Sequence, residues 1–178
     1  MELSKIPEIK FYKKMTIDDR CSLNVIKESK KYKNLEIISI MYKSDNLKIH
    51  GYILKHKNCT KKLPVIMYCR GGNNHPIENN SYNTKPGEYY YRVPNLCELV
   101  NNNKIIIFAS NYRGSVCSEG VDEFGGKDVN DVINLYPIIK KYKYSNEKQI
   151  GIYAISRGCM TALITHKLVN WIKCLVLI

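Results

Sequence analysis

Four short stretches of this chain are apolar almost without interruption: Leu63–Cys69 (LPVIMYC), Lys104–Ser110 (KIIIFAS), Gln149–Ile155 (QIGIYAI) and Cys174–Ile178 (CLVLI). A strand with one wet face alternates apolar and polar residues. A strand buried on both faces does not, and that burial is characteristic of a parallel sheet covered by helices on both sides. Helical patterns separate these runs. Residues Val93–Asn101 form one, and Gly125-Gly126 and Asp128 open a second, with Val129, Val132, Ile133, Tyr136 and Ile139 on its apolar face. Pro137 predicts a kink or early stop in it. The third runs from Arg157 to Val169, with Met160, Leu163, Ile164 and Leu168 on one face. Ahead of all this, Leu35–Tyr42 (LEIISIMY) and Leu47–Leu54 (LKIHGYIL) flank Ser44-Asp45-Asn46. Asp and Asn tolerate the positive φ of tight turns, so the pair reads as an antiparallel hairpin. The expected fold is α/β: a mostly parallel sheet with helices on both faces and an N-terminal antiparallel hairpin. Residues 1–34 read as a polar lead-in, with a short helix from Ile17 to about Lys30 capped by Thr16 and Asp19. The α/β unit then occupies residues 35–178.

Composition excludes several classes. With 44% apolar and 25% charged residues over 178 positions, the chain is neither disordered nor repetitive. No apolar run approaches the ~18 residues of a membrane span. Met1–Lys14 lacks the apolar core of a signal peptide, so no membrane association and a cytoplasmic location are expected. Lys and Arg exceed Asp and Glu by 28 − 16 = 12. The excess is spread out, densest at Lys27–Lys33, Lys55–Lys62 and Lys140–Lys148, where a solvated face explains it. No aromatic-and-basic module for nucleic acid is present. The seven cysteines are odd in number, irregularly spaced and without a C-x-x-C pair. Most read as small buried hydrophobes, and a disulfide framework or zinc site is not expected. No cofactor is implied.

The chemistry gathers at strand ends, where a parallel sheet places its sites. Ala154-Ile155-Ser156-Arg157-Gly158 sits where a buried strand turns straight into a helix. A nucleophile elbow needs this arrangement: a serine on a sharp turn, with small residues two before and two after it. The usual pattern begins with Gly, and Ala154 takes that place here. The helix N-terminus adds free N–H groups beside Ser156. A second strand ends in Arg70-Gly71-Gly72, a glycine pair whose N–H groups can face a developing oxyanion together with the Arg157 N–H. A third ends in Asn111-Tyr112-Arg113-Gly114-Ser115, followed by Glu119-Gly120 and Phe124–Val129. Simpler readings stand beside these: Ser156 as an ordinary helix N-cap, Gly71-Gly72 as a plain turn, Arg70 and Arg113 as solvated charges, Asp128 as a helix cap.

The strings YCRGGNN, SNYRGS, EGVDEFGGKDVNDV and YAISRGCM, in this order, resemble the catalytic domain of the prolyl oligopeptidase family of α/β-hydrolases. The similarity runs from about Leu35 to Ile178. It implies a serine hydrolase, a peptidase or an esterase, with Ser156 as nucleophile. It implies oxyanion-hole roles for Arg157, Gly71 and Gly72, with Arg70 supporting them. It also implies that Arg113 and Asp128 form a pair tying the loop after one strand to the start of the next helix.

The family places its acid and then its histidine after the nucleophile. Here no Asp or Glu follows Glu147, and the single His after Ser156 is His166. His166 lies ten residues into the helix, about 15 Å along its axis and away from Ser156. His75, after the oxyanion loop, reads as a surface histidine. The expectation is therefore a C-terminally truncated hydrolase, inactive alone. Its partners would be a peptide or small ester substrate and a polypeptide supplying the missing part. A non-catalytic remnant that binds a partner through its open sheet edge is the alternative.

Overall fold

The computed structural model describes residues 1–14, 33–72, 93–115 and 118–178. The expected helix at 17–30, His75, Cys21 and Cys117 lie outside the described residues. The strands are β1 (Ile9–Lys14), β2 (Leu35–Ser44), β3 (Leu47–His56), β4 (Leu63–Cys69), β5 (Ile106–Ser110), β6 (Ser145–Ala154) and β7 (Ile172–Leu177). The helices are α1 (Val93–Asn102), α2 (Asp128–Ile133), α3 (Tyr136–Lys141) and α4 (Arg157–Leu168). One sheet holds the seven strands in the order β1-β2-β3-β5-β4-β6-β7. The first three strands and β5 pair antiparallel, while β5, β4, β6 and β7 run parallel.

The apolar runs of β4, β5 and β6 have the cause the sequence suggested. In β4, Val65, Met67 and Cys69 face the core beneath α2, α3 and α4, while Tyr68 faces the core beneath α1. In β5, Ile106 and Phe108 take the first face and Ile107 and Ala109 the second. From α1, Leu96, Cys97 and Val100 cover the second face. Each of these β4 and β5 residues therefore meets a helix or another strand, whichever way it points. The fourth apolar run, expected to be buried on both faces, is instead largely exposed at β7, with Cys174, Val176, Leu177 and Ile178 open.

The hairpin is present with its turn as read. Ser44 stands opposite Leu47, and Asp45 and Asn46 have φ of 48° and 69°. Two positive φ values make the turn whose twist matches the flanking strands. Pro137 acts as expected: α2 stops at Ile133 and a separate helix, α3, begins with the proline in its first turn.

Three further features differ from expectation. The polar lead-in is not all outside the sheet: Ile9–Lys14 pairs antiparallel with β2, and Leu3 and Ile6 enter the core. Interleaved lysines and Pro7 hide the alternation that would have marked this strand. In α4 the apolar side is not the buried side. Gly158, Thr161, Ala162 and Thr165 are buried, whereas Leu163 and Leu168 are more than half exposed. Small residues let this helix lie close on the sheet, and bulk would keep it off. Lys55, read as solvated, is buried against Glu36 at 2.6 Å, with its ammonium over the Tyr144 ring.

β4 sits between β5 and β6, so the chain leaves it toward one side of the sheet and then crosses to the other. Such a reversal opens a crevice at the carboxyl ends of the strands involved. The ends of β4 and β6 are Cys69 and Ala154, which lie opposite each other in register. Arg70-Gly71 continues the chain from the first, and Ile155-Ser156 continues it from the second.

Candidate active site

Ser156 is exposed and has φ 54° and ψ −123°, a conformation that L-residues rarely adopt. Backbone strain of this kind persists only where surrounding structure imposes it. Here the imposing contacts are close. The Ile155 N–H donates to the Cys69 carbonyl at 3.1 Å, and the Ser156 N–H donates to the Ile178 carbonyl at 2.7 Å. The first turn of α4 then presses onto the end of β4. A Cβ at Gly158 would lie 2.0 Å from the Cys69 carbonyl oxygen, so only glycine fits. Ala154 is fully buried within β6, where its methyl group is accommodated. An ordinary N-cap would also turn its hydroxyl onto the helix, and Ser156 makes no side-chain cap hydrogen bond.

The Arg70-Gly71-Gly72 loop lies beside this serine. A Cβ at Gly71 would stand 3.1 Å from Ser156 Cβ and 3.0 Å from the Ile155 carbonyl oxygen. Gly72 has φ 82°. Arg157 is the first residue of α4, where N–H groups have no partner within the helix. The structure thus brings Ser156, Arg157, Gly71 and Gly72 together at the strand ends.

The three arginines among the described residues are all buried, and two form ion pairs. Arg113 holds Asp131 with two side-chain bonds, Nε at 3.1 Å and Nη2 at 2.8 Å, and its own N–H donates to the same carboxylate at 2.7 Å. Its Nη2 also reaches Asp45 in the hairpin turn at 2.8 Å. Burial pushes the Asp131 carboxyl up, against the pull of Arg113 and the Ser44 hydroxyl. Arg157 pairs with Asp122 through both terminal nitrogens and with Asp128 at 2.8 Å. The expected Arg113–Asp128 pair is therefore replaced by two others, Arg113–Asp131 and Arg157–Asp128. Asp128 and Asp131 stand three residues apart and so share one side of α2, which is why either could be read as the partner. The carboxylates also accept backbone bonds, Asp128 from Gly125 N–H at 2.9 Å.

Arg70 differs. Its Nη2 donates to the Asn111 carbonyl at 3.0 Å and to Ser115 Oγ at 2.5 Å, and its Nη1 donates to the Gly71 carbonyl at 3.1 Å. Burial pulls its pKa down. Its guanidinium lies 4.8 Å from the centroid of the Tyr112 ring, and that of Arg157 lies 5.3 Å from the same centroid.

Sequence reasoning missed Tyr112, Asp122, Asp131 and Asp45. The i, i+3 carboxylates of the DVND string were a legible signal for Asp131. Asp122 and Asp45 reach their arginines only through the tertiary fold. Cys159 is half-buried, its Sγ donating to the Ile178 carbonyl, and Cys69 is fully buried with its thiol pushed up to about 12 by burial. His166 is exposed on α4. Among the described residues, no group of three His, Cys, Asp or Glu side chains is placed to hold a metal ion, and no helix is long and apolar enough to cross a membrane.

No family model matches the chain. A curated protein of Bacillus subtilis (strain 168) named "Uncharacterized peptidase YtmA" is 22% identical over 132 residues. That match covers 74% of this chain and 46% of the relative, so the chain spans about half the relative's length. Among solved structures, an acetyl xylan esterase from Paenibacillus sp. R4 superposes with a TM-score of 0.63 at 17% identity, covering 97% of this chain and 54% of that one. Est1E from Butyrivibrio proteoclasticus, solved with ferulic acid bound, gives 0.57 at 18% identity, covering 75% and 49%. The α/β hydrolase GrgF from Penicillium sp. sh18 gives 0.58 at 14%, covering 80% and 45%. The fold is α/β-hydrolase-like.

Proposed function

We propose that this chain carries the nucleophile and oxyanion hole of a serine hydrolase of prolyl oligopeptidase type. Ser156 Oγ attacks the carbonyl carbon of an ester or peptide. Its proton passes to a histidine and then to the departing alcohol or amine. Water next attacks the acyl-serine, and the acid leaves as Ser156 regains its proton. The N–H groups of Arg157 and of the Gly71–Gly72 loop hold the negative oxygen of each tetrahedral intermediate. Asp128 keeps Arg157 in place from below, and Arg113 with Asp131 secures the loop after β5. No Asp or Glu follows Glu147 and His166 stands far along α4, so this reading requires a histidine and its acid from another polypeptide segment. Alone, the chain retains at most residual activity.

One observation carries this reading: an exposed serine in a strained left-handed conformation, at a strand-to-helix turn packed against a glycine pair. The test is fluorophosphonate labelling of a lysate of the source cells. The tryptic peptide from Gln149 to Arg157 contains Ser156, and it is expected to carry the label. Labelling of other serine hydrolases in the lysate, with that peptide present and unmodified, defeats the proposal. The mass of the labelled species shows whether the completing segment is covalently continuous with this chain.

A further inference from the structure

Two buried arginines, one before the glycine pair and one after the serine, converge on the same two peptide groups. Arg70 Nη1 donates to the Gly71 carbonyl at 3.1 Å, and Arg157 Nη1 donates to the Gly72 carbonyl at 3.3 Å. Both guanidiniums lie against the Tyr112 ring. Tyr112 is fully buried, and its hydroxyl donates to the Arg70 carbonyl at 3.3 Å. Each arginine is anchored at its far side: Arg70 by Asn111 O and Ser115 Oγ, Arg157 by Asp122 and Asp128.

These anchors constrain the oxyanion loop. No peptide bond among the described residues is cis. In a trans peptide the carbonyl of one residue and the N–H of the next point in opposite directions. Holding the Gly71 oxygen therefore aims the Gly72 N–H away from the Arg70 guanidinium. A glycine pair has wide backbone freedom, and without such anchors this peptide could rotate. The charge balance matters as well. Arg113 and Arg157 hold carboxylates in direct ion pairs, whereas the hydrogen-bond acceptors of Arg70 among the described residues are neutral, its Nε has none, and the Asp122 carboxylate acts on it without a direct ion pair. A buried cation is costly unless something compensates it.

We propose that Arg70 is a positioning residue: with Arg157, stacked on Tyr112, it locks the Gly71–Gly72 peptide toward an oxyanion at Ser156, and its positive charge favours that anion. This deepens the reading of Ser156 as the nucleophile and rests on it for the identity of the anion.

The test uses the full chain and phenylphosphonate, a tetrahedral oxyanion that binds without covalent chemistry. Isotope-labelled glycine amides report on the loop by NMR. In the wild-type chain, phenylphosphonate is expected to move the Gly72 signal. Arg70→Gln should shift that signal before any ligand is added and weaken binding at least about tenfold, the loss expected for a hydrogen bond to a charged group. Arg70→Lys, which keeps charge but loses the forked anchors, should fall between. Lys62→Gln removes an exposed cation paired with Glu147 and should bind like wild type, which separates the site from the general positive charge. Ser115→Ala removes one anchor of Arg70 without touching its charge. It serves if Arg70→Gln does not fold, and it should move Gly72 the same way. A Gly72 signal unmoved in every folded variant overturns the proposal, as does phenylphosphonate binding that is absent or indifferent to Arg70. Fluorophosphonate labelling of Ser156 in cells with no Arg70 effect would sink this inference alone. Arg70-dependent phosphonate binding with no labelling would sink the proposed function and leave the anion site.

Discussion

At the scale of single residues, two backbone and side-chain positions carry measurable free energy. Ser156 holds φ 54°, and glycine adopts that conformation without strain. Ser156→Gly is expected to be more stable than Ser156→Ala by about 1 kcal/mol, the relief of strain less the entropy glycine gains when unfolded. Urea unfolding of the two variants measures this, and equal midpoints would show that the turn is unstrained. His50 is the second position. It is buried in β3, where Asn111 Nδ2 lies 2.9 Å from its Nδ1 and Ser39 Oγ lies 2.7 Å from its Nε2. With Asn111 donating, the proton sits on Nε2 and the ring is neutral. Burial lowers its pKa to about 4. The unfolded chain takes up this proton near the ordinary value, about 6.5. The stabilisation is thus present above that value and is lost as pH falls from there toward 4, by about 3 kcal/mol in total. Urea midpoints of wild type and His50→Gln between pH 7 and 4 check this; parallel curves would exclude it.

At the scale of elements, the hairpin and α2 are joined by one ion-pair network. Asp131 is fully buried, accepts bonds from Arg113 and Ser44, and ties β2, α2 and the loop after β5 together. Asp45 is partly exposed in the hairpin turn and shares Arg113 with it. Asp131→Asn leaves a buried guanidinium without its principal counter-charge and is expected to cost about 3–5 kcal/mol. Asp45→Asn is expected to cost less than about 1 kcal/mol, as exposed pairs do. Thermal or urea unfolding separates the two, and comparable losses would contradict the network as described. The elements themselves were largely legible. The strands β4, β5 and β6 were marked by apolar runs, the hairpin by Asp45-Asn46, and the helix break by Pro137. β1 was not legible because its partner, β2, supplies the reason it is a strand. The buried side of α4 was not legible because hydrophobicity marks what can be buried. Gly158 and Ala162 mark what must be, since close approach to β4 requires small residues there.

At the scale of the whole molecule, one edge of the sheet is open among the described residues. β7 pairs with β6 only, and Val176, Leu177 and Ile178 are substantially exposed, as are Leu163 and Leu168 on the neighbouring helix. An apolar edge strand with open hydrogen-bonding groups invites pairing with another chain. The 178-residue chain is expected to self-associate in solution, and Val176→Lys is expected to reduce that association. Sedimentation velocity over a concentration series is the measurement. A wild-type chain that stays monomeric throughout would refute the expectation.

The sequence by itself determined the α/β class, the run of parallel strands and the serine at the strand-to-helix turn. These follow from local periodicity and from small residues at fixed spacing, both written in consecutive positions. Only the tertiary structure decided which carboxylate meets which arginine, that Arg70 among the described residues donates to neutral acceptors, and that two guanidiniums share Tyr112. Those pairings join residues tens of positions apart across the ends of three strands. They depend on sheet order and register, which no local pattern in the chain encodes.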